Sequence, residues 1–330
     1  MRDIAHDLGV SISTVSRAFN DSSLISSETR ERVHKAVRGS NYIRNMVARS
    51  LAVSSSRLIG LVVSSISNPF FAEIARGVHD VAQSKSYVIA LCNTQRRVEE
   101  EEKLSRTLLG VQVAGMIFAG GVTGVKHLEW LRQQGVPFVL AGRPTTGLEV
   151  PTVTIDNVAV GYQATQHLIG RGHKRILFLS GPSDSATSRD RQKGYLDAML
   201  GAGLPTSVEK GDFRMESGFA LAPQLMNTKR WPSAVFAAND MMAIGLILGC
   251  TNLGLRIPEE LAVLGCGDIP MAELIKPRLT TMRVPMYEMG ARAMHLLIEQ
   301  LEDRRKLGGD AVMLGCELIV RDSAPELRHG

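Results

Sequence analysis

Between Leu58 and Leu264, short apolar runs alternate with stretches of helical period, and this alternation restricts the fold more tightly than any other feature of the chain. The runs are Leu58–Val63, Val88–Cys92, Gly115–Phe118, Phe138–Leu140, Ile176–Leu179, Ala234–Ala237 and Leu261–Leu264. Between them lie helix-period stretches, among them Phe70–Ser84, Glu99–Leu109, Gly124–Gln134, Val160–Gly170, Arg189–Leu200, Glu216–Met226 and Met241–Leu253. Apolar runs of strand length linked by helices predict βαβ units and parallel sheets covered on both faces. About seven such units overfill one open sheet, so two doubly wound lobes are expected. A ligand would then sit at the carboxyl ends of the strands, in the cleft between the lobes.

The first fifty-odd residues have a different texture. They read as three short helices, Asp3–Leu8, about Ser13–Asn20 and Ser27–Arg38, then a marginal helical stretch at 45–52 and the joint Ser54-Ser55-Ser56. Ala5, Gly9 and Val15 fall at helix-turn-helix spacing, supported by Ile4, Leu8, Val10 and Ala18. Ala5 is small where a second helix crosses, Gly9 permits the positive φ that ends the first helix, and Val15 faces inward to lock the pair. Ser13 is expected to cap the second helix. The opposite face carries Ile12, Ser13, Ser16, Arg17 and Asn20, which suits entry into a major groove. Charge agrees with this placement. Residues 1–57 hold nine Lys/Arg against five Asp/Glu, so four of the five net positive charges lie on about one sixth of the chain.

The stretch Gly9-Val-Ser-Ile-Ser-Thr-Val-Ser-Arg-Ala-Phe-Asn20 resembles the start of the lactose/galactose repressor family, with Val10-Ser11-x-Ser13-Thr14-Val15-Ser16-Arg17 as its signature. Further matching motifs are Ser26-x-x-Thr29-Arg30, Asn41-Tyr42-Ile43-x-Asn45, Ala48-x-x-Leu51-Ala52, Asn68-Pro69-Phe70-Phe71, Asp156-Asn157, Gly172-His173-x-Arg175-Ile176, Gly181-Pro182, Asn239-Asp240-x-Met242-Ala243 and Pro277-x-Leu279-Thr280-Thr281. The resemblance spans essentially the whole chain. It implies a small all-α helix-turn-helix headpiece at 1–44, a hinge helix and linker at 45–57, and an effector-binding and dimerisation domain at 58–330. That domain would be a two-lobed, periplasmic-binding-protein-like α/β fold. Lobe one would hold about 58–157 plus 285–313, and lobe two about 158–284 plus 314–324.

The function implied is a DNA-binding transcription regulator, in all expectation a repressor, acting in the cytoplasm as a homodimer on double-stranded operator DNA. Ile12, Ser13 and Arg17 would read bases, while Thr14, Ser16, Ser26, Thr29 and Asn45 would hold phosphates. Residues 45–52 would fold into a helix on the operator, with Ala48 and Leu51 at the minor groove. An isolated helix of that length is too short to be stable in water, and dimerisation plus unstacking of a base step by Leu51 would supply the difference. The effector would lie between the lobes. Phe70 and Phe71 would form an apolar wall, Thr187 and Arg191 polar contacts, Phe213 a stacking ring, and Asn239 and Asp268 hydrogen-bonding groups.

Three departures from the family pattern carry information. The residues that usually precede the first helix, with a capping Thr, are absent here, so either the start lies further upstream or that helix is poorly capped. Arg44 stands where Pro usually precedes Asn45. Cys266-Gly267 replace the aromatic and the acid that usually precede Asp268. Losing that acid beside Arg189 and Arg191 makes the site less negative, so the expected effector is a sugar, sugar acid or phosphosugar, with the anionic forms favoured.

Other classes find little support. No GxxxxGK phosphate loop, HExxH, GxSxG elbow or strand-borne GxGxxG is present, so no enzyme is read here. Cys92, Cys250, Cys266 and Cys316 lack metal spacing, and neither a metal nor a cofactor is expected. The N-terminus lacks the apolar core of a signal peptide, and no apolar run is long enough to span a bilayer, which argues against an exported solute-binding protein or a membrane partner. The chain ends shortly after the strand pattern Glu317–Val320, without a heptad tail to pair dimers into tetramers.

Overall fold

Three helices arise in the first unit because apolar residues recur at helical spacing and two serines cap them. In the computed structural model, which describes residues 2–19, 24–39, 56–121, 126–143, 148–226, 231–303 and 311–325, these are α1 (Arg2–Asp7), α2 (Ile12–Phe19) and α3 (Ser27–Gly39). Ile4, Ala5, Val15, Ala18 and Val33 form their common core. Gly9 takes φ 64° at the turn out of α1, a conformation that favours glycine. The cap of α2 is Ser11 and not Ser13: the helix begins one residue earlier than the periodicity suggests, and Ser11 Oγ accepts from the Thr14 amide at 3.0 Å. The helical stretch expected at 45–52 lies outside the described residues.

The chain divides by contact into Met1–Ser55 and Ser56–Gly330. The second unit contains two six-stranded sheets. The first is built from β1 (Leu58–Val63), β2 (Val88–Asn93), β3 (Gly115–Ala119), β4 (Phe138–Ala141), β5 (Thr152–Ile155) and β11 (Ala311–Leu314), in the order β11-β5-β4-β3-β1-β2. All its pairings are parallel. The second holds β6 (Ile176–Ser180), β7 (Ser207–Lys210), β8 (Ala234–Ala237), β9 (Ala262–Gly267), β10 (Thr280–Arg283) and β12 (Glu317–Ile319), in the order β12-β10-β9-β8-β6-β7. Among the described residues only its β10–β12 pairing is antiparallel. Central strands such as β3, β6 and β9 are buried throughout, whereas the edge strand β7 is exposed along its length. That contrast is the signature of sheets covered on both faces by helices.

Helices α4 (Pro69–Ser84), α5 (Val98–Gly110), α6 (Lys126–Gln133) and α12 (Met286–Glu302) serve the first sheet. The second is served by α7 (Asn157–Gly170), α8 (Ala186–Gly201), α9 (Met215–Met226) and α10 (Asp240–Asn252), with the short α11 (Met271–Leu274) following β9. The path passes between sheets at 155–157, 283–286 and 314–317, so three segments can hinge the lobes.

Pairs of helices meet backbone to backbone at glycines. A Cβ on Gly194 of α8 would come within 2.1 Å of the Val158 carbonyl oxygen on α7, and one on Gly161 equally close to the Arg191 carbonyl. Because the obstacle is main chain, no rotamer change relieves it. Gly194→Ala is therefore expected to separate α7 from α8 and destabilise the second lobe by about 1–3 kcal/mol, read as a lowered midpoint in urea. An unchanged midpoint would mean that the two helices slide apart at little cost.

Candidate functional site

The exposed face of α2 is built by burying its other side. Val15 and Ala18 are fully buried, which turns Ile12, Ser13 and Arg17 outward, and Ile12 is left 46% exposed although it is a large aliphatic residue. An exposed isoleucine beside a serine and an arginine is a poor surface for water and a good one for base edges and thymine methyls. Thr14 is half-buried and Ser13 exposed, and both hydroxyls lie within hydrogen-bond distance of Ser11 Oγ, at 2.8 and 2.7 Å. Ser26 caps α3, its Oγ accepting from the Thr29 amide at 3.3 Å. Ser26 and Thr29 therefore sit together at a helix N-terminus, where phosphate binding is favoured. Ser16 belongs to α2, but its side chain lies outside the described residues, as do Asn45, Ala48 and Leu51 altogether.

In the second unit, the carboxyl ends of strands from both sheets surround a cavity of about 680 Å³. Ser64 follows β1, Asn93 ends β2, Gly120 follows β3, Arg143 follows β4, and from the other sheet come Asn239 after β8 and Cys266 in β9. Phe70 and Phe71 lie in the first turn of α4, edge to face with centroids 5.3 Å apart, and both line the cavity. Asn68 caps that helix by accepting from the Phe70 amide at 3.0 Å, and Pro69 occupies its first turn. The turn residues Asn68-Pro69 thus aim two aromatic rings at the cleft.

On the facing lobe, Ser185 caps α8 through the Ser188 amide, which places Thr187 and Arg191 on the first turns of that helix and at the cavity. Arg191 is only 5% exposed. Its Nε donates to Asn157 Oδ1 at 3.0 Å and its NH1 to the Ala238 carbonyl at 2.5 Å. Phe213 holds φ 69°, a conformation costly for an aromatic residue. Asn239 sustains it by donating from Nδ2 to the Phe213 carbonyl at 2.9 Å, while its Oδ1 accepts from the Met242 amide at 3.0 Å. Both ends of the Asn239 amide thus hold protein.

Of the seven residues expected to contact an effector, six line the cavity and Asp268 does not. Its carboxylate is clamped by Arg283 Nε and Arg321 NH1, both at 2.7 Å, and its backbone takes a left-handed φ of 62°. The buried acid at the cleft is Asp240, which takes the Thr281 hydroxyl at 2.5 Å and the Ile269 amide at 2.9 Å. Burial pushes its carboxyl up to about 6, against the pull of those two donors. Cys266 also lines the cavity, and burial pushes its thiol up to about 12.

Sequence motifs alone did not single out Arg96 and Arg143. Arg96 reaches across the cleft to Asp184 at 2.9 Å and lies 5.5 Å from the Phe213 ring centroid, so it clasps the two lobes. Arg143 is buried against Glu101. Both follow the carboxyl ends of strands, and a reading that looked there, rather than for motifs, would have found them.

Comparison with known proteins agrees with this architecture at both ends. Residues 1–45 match the family described as bacterial regulatory proteins, lacI family, and residues 165–324 match a periplasmic binding protein-like domain. Catabolite control protein A of Priestia megaterium is 35% identical, the match covering 97% of this chain and 98% of the relative. A solved complex of the transcriptional regulator CelR with cellobiose is 32% identical, covers 97% of this chain and 98% of its own, and superposes with a TM-score of 0.75. A lac repressor dimer bound to operator and the anti-inducer ONPF is 27% identical over 98% of each chain, with a TM-score of 0.88.

Proposed function

The chain belongs to the lacI family of bacterial regulatory proteins and is a DNA-binding transcription regulator, and from that premise we propose a division of labour between its two units. The first recognises an operator: Ile12, Ser13 and Arg17 read bases, and Thr14, Ser16, Ser26, Thr29 and Asn45 hold phosphates. Ala48 and Leu51 act at the minor groove. Supporting this reading, α2 leaves Ile12 exposed beside Arg17 while its opposite side is fully buried. The protein acts as a homodimer on a pseudo-palindromic site, since two-fold protein symmetry calls for two half-sites. It represses, in the cytoplasm, and performs no catalysis.

The second unit binds a small metabolite between the lobes, through Phe70, Phe71, Thr187, Arg191, Phe213 and Asn239. Asp268 acts there only indirectly, by fixing the loop between β9 and α11. Cellobiose in the complex of one relative and an anti-inducer in that of another make a sugar or sugar derivative the natural class. Three hinge segments and one cross-lobe ion pair give the body open and closed states, and the effector shifts their populations and with them operator affinity.

The cavity between the two sheets, lined by aromatic rings and a few fixed polar groups, carries the sensing half of this reading. Footprinting on genomic DNA beside the gene tests the whole. One protected palindrome whose protection changes with a metabolite is the expected result. Equal retardation of all duplexes, with or without metabolites, would overturn it.

A further inference from the structure

Resting on the reading of the cleft as the effector site, we propose that the effector is a hydroxylated anion, carrying a carboxylate or phosphate together with sugar-type hydroxyls. Four arginines line the cavity. Three of them have a protein carboxylate: Arg96 pairs with Asp184 at 2.9 Å, Arg143 with Glu101 at 2.5 Å, and Arg214 with Glu216 at 3.5 Å. Arg191 has no ion-pair partner among the described residues, the neighbouring Asp190 carboxyl feeling its charge only at longer range, and it is a deeply buried one. Its two protein partners, Asn157 Oδ1 and the Ala238 carbonyl, are neutral dipoles that fix the guanidinium plane without cancelling its charge.

The acids around the cavity are spent elsewhere. Asp212 Oδ1 accepts from the Arg214 amide, Glu216 faces the Arg214 side chain, and Asp240 is taken by Thr281 and Ile269. Where the family resemblance leads one to expect a further acid there is Gly267, whose Cβ would fall 3.0 Å from Asp240 Oδ2. A buried guanidinium without a counter-charge is costly, and an anion delivered by a ligand removes that cost through charge-assisted hydrogen bonds in a poorly screened site.

The opposite wall supplies the second half of the specificity. Asn93 ends β2 and lines the same cavity, and its buried Oδ1 has no donor among the described residues. An acceptor in that state would take a hydroxyl or amine from a ligand once the side chain turns toward the cavity. An anionic group on Arg191 and a hydroxyl on Asn93 would bridge the lobes, with Phe70, Phe71 and Phe213 against the carbon skeleton. Ligand binding then adds its own contacts to the Arg96–Asp184 clasp.

The test is thermal unfolding of the full chain with millimolar glucuronate, galacturonate, glucose 6-phosphate or ribose 5-phosphate, each against its neutral parent sugar at matched ionic strength. At least one anion is expected to raise Tm by about 2–4 °C while its parent does not. Uronates acting alone identify the group as a carboxylate, and sugar phosphates acting alone as a phosphate. Arg191→Gln should lose the shift and Arg191→Lys should keep part of it, with each variant's unliganded Tm reporting that it folds. Neutral sugars shifting Tm as much as the anions, an anion shift that survives in Arg191→Gln, or no shift from any anion would each overturn the proposal. Operator retardation with the same compounds separates this from the regulatory reading. Release by a neutral sugar sinks the anion and keeps the regulator, whereas an anion that binds without altering retardation keeps the ligand class and sinks the control.

Discussion

Glu101→Ala is expected to destabilise the second unit by about 3–5 kcal/mol, the cost of removing one member of a buried ion cluster. Glu101, in the first turn of α5, accepts from His127 Nε2 at 2.6 Å and from Arg143 NH1 at 2.5 Å, and all three side chains are buried. Without the carboxylate, the guanidinium stays where β4 and its following loop put it and loses a buried charge that helps offset its desolvation. At this size the loss corresponds to a fall in Tm on the order of 10 °C. A fall of a degree or two would show that water reaches the cluster.

The pH dependence has a definite sign. Burial pushes the Glu101 carboxyl up, but the His127 hydrogen bond and the Arg143 charge outweigh it and hold the group below its ordinary 4.5. A carboxyl depressed in the folded state stabilises above its unfolded value, and that contribution disappears as pH falls through the folded one. The difference in stability between the native chain and Glu101→Gln should therefore be full at neutral pH and close on acidification below about 4. Arg143 also borders the cleft, so the same variants should weaken the effector response, measured as ligand-induced change in Tm.

The elements that the sequence made legible share one property: their strands are continuous apolar runs. Leu58–Val63, Gly115–Phe118 and Ile176–Leu179 all became central strands for that reason. Three strands without such a run escaped notice, at Thr152–Ile155, Ser207–Lys210 and Thr280–Arg283, and so did Ala311–Leu314, a short apolar run that lies half exposed at a sheet edge. Thr280 and Thr281 are fully buried, which an apolar template forbids, yet their hydroxyls are satisfied by the Arg321 carbonyl and by Asp240. Ser207–Lys210 is an exposed edge strand and needs no apolar residue. The long α12 passed unrecognised because Gly290 interrupts its pattern, and that glycine exists to bring α12 against the backbone of α4 at Ile74.

The site divides in the same way. Residues whose place at the cavity is fixed by local capping, such as Phe70 after Asn68-Pro69 or Arg191 on the helix capped by Ser185, follow from motifs. Residues fixed by distant partners were not. Asp268 looks like a ligand contact until Arg283 and Arg321, the latter fifty-three positions away, are seen to hold it. Arg96 acquires its role only when the second lobe brings Asp184 to it.

Arg17→Ala is expected to abolish discrimination at one base pair of each half-site, at a cost of about 1–3 kcal/mol for every half-site bound. The homodimer proposed above would carry the change twice, so operator affinity should fall by about 2–6 kcal/mol, among the largest effects open to a single exposed substitution. The fold gives no reason for a loss of stability, because Arg17 is exposed and the core residues Val15 and Ala18 are untouched. Binding to random duplex should change little, since non-specific affinity depends on the summed phosphate contacts of the whole headpiece. Ser26→Ala is the informative contrast. It removes the α3 cap and a hydroxyl at the helix N-terminus, so it should weaken operator and random DNA alike. Fluorescence anisotropy with both duplexes at two salt concentrations separates the two behaviours. If Arg17→Ala lowered affinity for operator and random DNA by the same factor, Arg17 would hold phosphate, and base reading would rest on Ile12 and Ser13 alone.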